Sequence, residues 1–160
     1  MSRFFTMIAT VLLFTSALTV QAAEDRDLVE SFYTQLLSGT TKADLPECVN
    51  EILAPDWQSL GDYSSAPKTR EQFLAELQGI GSALPNLTWK VEEILPVGGN
   101  RFVVRGRATA TPVKPFLGVE PNKRSFEIMS IDIHTVENHK ITKSFHVEDW
   151  LGATGQLKRK

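Results

Sequence analysis

The residues best suited to acid–base chemistry lie near the C-terminus, where carboxylates and imidazoles occur at the two-residue spacing of a β-strand. Asp132 and His134 share one face of a predicted strand with Ser130, and the opposite face is apolar. A carboxyl group beside an imidazole is suited to taking up and returning a proton. If the cavity lies on the polar face, Asp132 and His134 form a candidate catalytic pair; if the apolar face is the core, both lie outside. The alternation leaves both alternatives open.

A second candidate carboxylate, Asp149, follows Phe145 and Val147 at the same spacing, so all three should face one way. The apolar companions indicate the cavity side, where burial raises the pKa of a carboxyl group towards a catalytically useful range. The alternative is an aspartate that caps the chain end or pairs with an arginine. His146 falls on the other face, for which we expect the outer sheet surface. A catalytic role for His146 would need a β-bulge that reverses the alternation.

The periodicity of the chain shows which elements must position these residues. Apolar residues at helical spacing predict helices at 26–38 and 45–53, and Thr69 with Gln72 forms a capping-box pattern that begins a third helix. Residues 56–68 predict an irregular loop. Period-two alternation predicts four strands, at 87–95, 101–111, 124–136 and 140–150. This order predicts an α+β fold, with a curved antiparallel sheet wrapped over the helices and one concave face left open.

The composition is that of one globular domain. The chain has 160 residues, of which 42% are hydrophobic and 22% charged, and these values exclude disorder. A formal net charge of −2 gives no support for nucleic-acid binding. The single cysteine, Cys48, cannot build a disulfide framework or a thiolate cage, and the three histidines lack the spacing of a zinc protease. We therefore expect no metal site and a buried, unreactive Cys48.

The N-terminus is typical of a secretory signal peptide. Arg3 precedes an apolar run at 7–18, and a Val-Gln-Ala cleavage pattern ends at Ala22. The run is shorter than the ~20 residues of a membrane-spanning helix, which argues against a membrane anchor. We predict three segments: a signal peptide at 1–22, a folded domain at 23–157 and a basic tail at 158–160. The protein should be exported, to the periplasm or the medium, without a membrane anchor after cleavage.

The C-terminal segment carries the most specific pattern of the sequence. It follows I-x-x-x-W-x-x-x-D-x-x-G-x-x-x-Q-L, with phenylalanine in place of tryptophan, at Ile141, Phe145, Asp149, Gly152, Gln156 and Leu157. Six shorter segments precede it in order: Phe32–Tyr33, Leu53–Trp57, Arg70–Phe73, Leu84–Leu87, Val103–Thr111 and Pro115–Val119. Together, these segments resemble the SnoaL-like polyketide cyclase, or ester cyclase, family over about residues 26–157.

This resemblance implies the cone-shaped fold of the nuclear-transport-factor-2-like, or cystatin-like, superfamily. It also implies that Asp149 acts as general acid and base in an intramolecular aldol closure with no metal and no cofactor. Our candidate catalytic residues are Asp149, His134 and His146. Our candidate substrate-binding residues are Tyr33, Trp57, Phe73, Phe116 and Met129, and for the aromatic ones ordinary core packing is the alternative.

Three functions follow from these observations. The first is an exported acid–base enzyme of cyclase, isomerase or hydrolase type, which acts on a small apolar carbonyl compound or ester through Asp149. Two histidines common in the family are absent, at Leu60 and within 110–114, and their absence favours a module that binds a small apolar molecule without chemistry. The third is an interaction domain that forms a homodimer through its sheet face. The fold alone does not choose among them.

Overall fold

The computed structural model describes residues 21–159. The predicted signal peptide, except for its last two residues, lies outside the described part, and so does Lys160. No helix within the described range is both long and apolar enough to cross a membrane.

The structure has four helices, of which the sequence predicts the first three. Helix α1 is helical over 21–31 and continues as a π-helical segment, Phe32–Leu37. Helix α2 spans Leu45–Ile52 and α3 spans Arg70–Ala83. The capping box is confirmed, because Thr69 Oγ1 accepts from the Gln72 amide and the Gln72 side chain accepts from the Thr69 amide. Helix α4 (Trp150–Lys158) was not predicted.

The strands are β1 (Leu53–Leu60), β2 (Lys68–Thr69), β3 (Thr88–Pro96), β4 (Arg101–Ala110), β5 (Phe126–Glu137) and β6 (Lys140–Glu148). The four predicted strands are confirmed as β3 to β6, but the predicted loop at 56–68 is wrong in part. Trp57 and Ser59 are buried while Asp56 and Gln58 are exposed, which is the alternation of a strand. Strand β1 pairs with β6, far away in sequence, and local turn residues carry no information about such a partner.

The six strands form one sheet in the order β2-β1-β6-β5-β4-β3. All neighbours are antiparallel except β1 and β6, which are parallel. The α+β architecture, with a curved sheet wrapped over helices, is thus confirmed.

The core lies between the helices and the inner face of the sheet. Helix α1 packs against β3, α3 against β1, and α4 against β5. Burial of these apolar faces supplies the main driving force for folding. Cys48 is partly buried against this core, where it acts as a small apolar side chain.

Candidate active site

The polar faces of β5 and β6 point inward, towards the helices. The antiparallel register sets Ser130 opposite Glu148, Asp132 opposite His146, and His134 opposite Ser144. The residues between them face solvent: Met129 is 56% exposed, Ile131 40% and Val147 69%. The sequence left open which face of β5 is covered, and the structure shows that it is the polar one. For β6 the expectation that Phe145 and Val147 face the cavity and His146 the outer surface is wrong.

Asp132 is the carboxyl group at the centre of this inner face. Its Oδ2 accepts hydrogen bonds from the Tyr33 hydroxyl at 2.8 Å and from the Ser130 hydroxyl at 3.0 Å. Its Oδ1 has no hydrogen-bond partner among residues 21–159, and the residue lines a cavity. Burial raises the pKa of Asp132 to about 7, against the opposing effect of the Tyr33 hydrogen bond. A carboxyl group with this pKa both takes and returns a proton near neutral pH.

His134 lies directly behind Asp132 and is fully buried. Its Nε2 is 2.8 Å from the Tyr33 hydroxyl, and its Nδ1 is 2.9 Å from Ser144 Oγ. Ser144 Oγ also accepts a hydrogen bond from Trp57 Nε1 at 3.1 Å. Burial, with a smaller contribution from the charge of His146, lowers the pKa of His134 to about 3, so the imidazole is neutral at physiological pH.

The side chains of Ser130, Asp132, His134 and Ser144 form a polar cluster. Tyr33 reaches this polar cluster from the π-helical segment of α1. The wider turn, in which the Ser38 amide donates to the Tyr33 carbonyl, sets Phe32 and Tyr33 together against the sheet. Such segments often occur at functional sites. Phe32 packs on the His134 ring at a centroid distance of 4.8 Å. Burial and the neighbouring Asp132 raise the pKa of Tyr33, so its hydroxyl keeps its proton.

His146 and Glu148 form a second pair beside Asp132. The His146 Nδ1 lies 2.9 Å from both carboxylate oxygens of Glu148. The hydrogen bond that His146 donates to Glu148 raises the pKa of His146 more than partial burial lowers it. The imidazole ring of His146, with its raised pKa, therefore lies directly across from Asp132 on the neighbouring strand.

The cavity beside Asp132 has a volume of about 80 Å³. Its walls are mainly apolar, with a smaller polar part. The apolar lining is Phe32, Leu37, Phe73, Leu77, Ile80, Leu87, Trp89 and Trp150. The polar lining is Ser59, Lys68, Glu76, Asp132, Ser144, His146 and Glu148. An apolar pocket with a few convergent polar groups is the usual form of a small-molecule site.

The predicted position of Asp149 is wrong. Strand β6 ends at Glu148, and Asp149 is exposed and caps α4, with its Oδ1 accepting from the Gly152 amide at 2.8 Å. The alternation argument failed at both of its steps, because Phe145 and Val147 lie on the outer face of β6 and because the strand stops one residue before Asp149. The structure thus shows Asp149 as a helix cap and not as a carboxylate of the cavity.

The candidate substrate-binding residues separate into three groups. Phe73 lines the cavity, while Tyr33 and Trp57 lie behind it and hold the polar cluster. Phe116 does not line it, because its ring packs on Phe126 and Trp150 at 6.0 and 5.8 Å. Met129 is on the outer face of β5, away from the cavity. The expected positions of Phe116 and Met129 are therefore wrong.

The site also contains residues that the sequence pattern did not single out, among them Ser144, Glu148 and Trp89, and the pattern indicated Asp132 only as a possible partner of His134. Their signal was present in the sequence as two matching runs, Ser130-x-Asp132-x-His134 and Ser144-x-His146-x-Glu148. Polar residues at this spacing on adjacent strands form one patch when the strands pair in register. Within residues 21–159, no group of three or more His, Cys, Asp or Glu side chains has an arrangement that could hold a metal ion.

Comparison with solved structures finds the same fold in several known proteins. IdmH, a proposed polyketide cyclase from Streptomyces antibioticus, is 26% identical with a TM-score of 0.73, and the match covers 84% of this chain and 99% of IdmH. A proposed SnoaL-like polyketide cyclase from Jannaschia sp. CCS1 is 20% identical with a TM-score of 0.73, and the match covers 86% of this chain and 94% of that one.

A third relative has a different assigned chemistry. AclR, a proposed hydroxylase from Streptomyces galilaeus, is 18% identical with a TM-score of 0.70, and the match covers 84% of this chain and 96% of AclR. At this identity the likeness shows the fold alone, as it does for the Jannaschia protein. No curated protein matches the chain significantly in sequence.

The family model for the SnoaL-like polyketide cyclase matches residues 28–157, which include every side chain of the polar cluster and of the cavity wall. The chain belongs to the SnoaL-like polyketide cyclase family, with its nuclear-transport-factor-2-like fold.

Proposed function

We propose that the protein is an acid–base enzyme that acts, without a cofactor, on a small apolar carbonyl compound or ester, with Asp132 as the proton-transferring group. The observation that carries this proposal is the buried Asp132 carboxyl, whose pKa is raised to about 7 and whose residue lines an apolar cavity. Membership of the family supports a reaction of the cyclase type. Asp149, for which the family resemblance implied this role, caps a helix outside the cavity.

The chemistry begins with proton abstraction. In its ionised form, Asp132 takes a proton from the carbon next to a carbonyl group, which leaves a neutral carboxylic acid and an enolate. The enolate carbon then attacks a second carbonyl group of the same molecule, and the new alkoxide takes the proton back from Asp132. Proton uptake and return balance, so no oxidant or reductant is needed.

His146 supplies the charge that the enolate requires. It lies opposite Asp132 on the neighbouring strand and lines the cavity, and its hydrogen bond to Glu148 raises its pKa. A positive charge in a site walled by apolar side chains stabilises a developing oxyanion more than it would in water. The charge also lowers the pKa of Asp132, against the burial that raises it.

The size of the cavity restricts the substrate class. At about 80 Å³ it is well below the ~300 Å³ of a typical ligand site, so the enclosed part of the substrate is small. The apolar walls favour hydrocarbon or aromatic groups, and the polar side chains favour a carbonyl oxygen. Small cyclic ketones and esters are therefore the compounds to test first.

Deuterium exchange tests the proton-abstraction step without knowledge of the natural substrate. Small cyclic ketones are incubated with the protein in deuterated water, and loss of the α-proton is followed by NMR. We expect the wild-type protein to exchange it faster than buffer, with a rate that rises between about pH 6 and about pH 8 as Asp132 ionises. Asp132→Asn should lose at least about 100-fold of this rate.

Asp149→Asn is the matched control, because asparagine also serves as a helix N-cap and the substitution leaves the cavity unchanged. Its exchange rate should equal that of the wild type. If Asp132→Asn exchanges as fast as the wild type, the proposal is wrong. Saturable ketone binding with no exchange in any variant would instead identify a binding module.

We also propose that the protein is exported. The support is the N-terminal pattern of Arg3, the apolar run and the cleavage motif that ends at Ala22. Expression of the full chain in a bacterial host, followed by fractionation and N-terminal sequencing, should find a product that begins at Ala23. A product that keeps Met1 and stays in the cytoplasm would contradict the proposal.

A further inference from the structure

Five buried side chains form one continuous hydrogen-bonded chain that ends at Asp132. In order, they are Trp57, Ser144, His134, Tyr33 and Asp132. The successive distances are 3.1 Å, 2.9 Å, 2.8 Å and 2.8 Å. These residues come from β1, β6, β5 and α1, so only the folded chain brings them together.

The direction of this chain follows from its first member. The indole nitrogen of Trp57 donates and cannot accept, so Ser144 Oγ is the acceptor in that bond. Within residues 21–159, the ring of His134 is the only partner left for the Ser144 hydroxyl hydrogen, which therefore points at Nδ1. His134 then carries its own hydrogen on Nε2 and donates it to the Tyr33 oxygen, and Tyr33 donates to Asp132 Oδ2.

The opposite direction leaves one donor without an acceptor. If His134 donated from Nδ1, Ser144 Oγ would accept two hydrogen bonds, and its own hydrogen would have no acceptor among the described residues. An unsatisfied buried donor costs about 1–3 kcal/mol. A neutral imidazole carries a single N–H, and burial, which lowers the pKa of His134 to about 3, keeps it neutral.

We propose that this one-way hydrogen-bond chain makes Asp132 Oδ2 a permanent acceptor, so that the proton exchanged in catalysis resides on Oδ1, the oxygen left free for the cavity. His134 is then a positioning residue: it does not take up the catalytic proton, and it orients the Tyr33 hydroxyl. The inference rests on the proposed function only for the catalytic use of that proton, because the direction of the chain exists without turnover.

Two donors hold Oδ2 in this role. Tyr33 and Ser130 both donate to it, at 2.8 and 3.0 Å, so a proton on Oδ2 would require one of these bonds to break or reverse. The titratable groups that share the cavity with Asp132 from other elements are Lys68, Glu76, His146 and Glu148. None of these is bonded to Oδ2 in the described part of the chain, so the charges of Glu148 and His146, which raise and lower the pKa of Asp132, do not change which oxygen is protonated.

Nitrogen-15 NMR of the histidine rings in the purified protein tests the proposal without substitution. We expect His134 to be neutral with its hydrogen on Nε2, and to keep this form between about pH 8 and about pH 5.5, while Asp132 takes up its proton. If the proton instead went to Oδ2, the chain would reverse, and His134 would change to the Nδ1–H form over the same range. That change, or a cationic His134 at neutral pH, would overturn the proposal.

Trp57→Phe removes the donor that sets the direction. We expect this variant to gain a measurable Nδ1–H population of His134 as the pH falls, together with a higher pKa of Asp132. Trp89→Phe is the control, because the buried Trp89 Nε1 has no hydrogen-bond partner in the described residues and its loss leaves the chain intact. An unchanged His134 in Trp57→Phe, at every pH, would contradict the direction that we infer.

The outcomes separate this inference from the proposed function. Deuterium exchange that persists in Asp132→Asn removes the catalytic role, whereas the tautomer of His134 reports on the chain alone. A His134 that stays in the Nε2–H form therefore supports the proton position whether or not a substrate is ever turned over.

Discussion

At the residue scale, the burial of Asp132 makes the protein less stable at high pH. An exposed aspartate has a pKa of 3.8, and burial raises that of Asp132 to about 7. Between these values the unfolded chain has lost a proton that the folded chain keeps, so the free energy of unfolding falls as the pH rises. The loss is complete above about pH 7 and amounts to on the order of 4 kcal/mol, since one pKa unit corresponds to about 1.4 kcal/mol. Active sites often carry such a cost.

Asp132→Asn should therefore stabilise the protein at high pH. The amide oxygen can accept from Tyr33 and Ser130, the amide nitrogen can face the cavity, and no charge is buried. We expect a gain on the order of 1–3 kcal/mol near pH 8 that disappears near pH 4. Urea unfolding at several pH values measures it. The lowered pKa of His134 gives the opposite trend below pH 6.5. Because both proteins contain His134, its contribution cancels in the difference between their free energies of unfolding. A difference that does not vary with pH would refute this account.

Gly106 leaves the space that Ser130 needs. A Cβ atom at this position would lie 2.7 Å from Ser130 Oγ, the atom that donates to Asp132. We expect Gly106→Ala to push this hydroxyl away, to cost about 1–3 kcal/mol of stability and to raise the pKa of Asp132 further. Carbon-13 NMR of the carboxyl group and urea unfolding measure the two effects.

Gly79→Ala is the matched control for this substitution. It lies in α3 with no atom within 4 Å of the added Cβ, and should stabilise the protein by about 0.5–1 kcal/mol. Equal effects of the two substitutions would show that the contact with Ser130 does not matter.

At the element scale, the junction between β6 and α4 decides the role of Asp149. The strand ends at Glu148, and the next residue turns away from the sheet to cap α4. The cap satisfies the Gly152 amide, which has no partner within the helix. The helix then buries Ala153 and Leu157 against the core.

Asp149→Ala should cost about 1 kcal/mol of stability through loss of this cap, while Asp149→Ser, which keeps a capping oxygen, should cost less. Neither substitution reaches the cavity, so α-proton exchange should remain at the wild-type rate. Thermal unfolding and the exchange assay on the same samples check both statements. Loss of exchange in Asp149→Ser, with the fold intact, would return Asp149 to the catalytic site.

At the scale of the whole molecule, the outer face of the sheet carries exposed apolar side chains on β5 and β6, next to the arginines of β4. Exposed apolar side chains on this face include Leu95, Met129, Ile131 and Val147. Ile131 and Val147 are direct neighbours across β5 and β6, so the apolar surface is continuous across these two strands. Contiguous exposed apolar surface of this kind often marks an interface.

We propose that two copies of the chain associate through this face, as an isologous dimer in which each copy covers the same patch on the other. Light scattering should show a dimer for the wild type and a monomer for Ile131→Lys combined with Val147→Lys. Tyr63→Lys, at a fully exposed loop position, is the control and should remain dimeric. A wild-type protein that stays monomeric at high concentration would contradict the proposal.

The sequence by itself determined the order and type of most elements, since hydrophobic period and caps are local signals. The strands β3 to β6 and the capping box of Thr69 follow from neighbouring residues alone. The family was also readable, because its motifs occur in order along the chain. Alternation correctly separated Asp132 and His134 from their apolar neighbours, and His146 from Val147.

Only the tertiary structure decided which of the two faces is covered. A period of two defines two faces of a strand but does not say which one the helices pack against. Here α1 brings Tyr33 to Asp132 from 99 residues away, and β1 brings Trp57 to Ser144 from 87 residues away. These partners satisfy polar groups that would otherwise be costly to bury, so the polar face becomes the inner one. The site thus depends on long-range contacts, which no local pattern encodes.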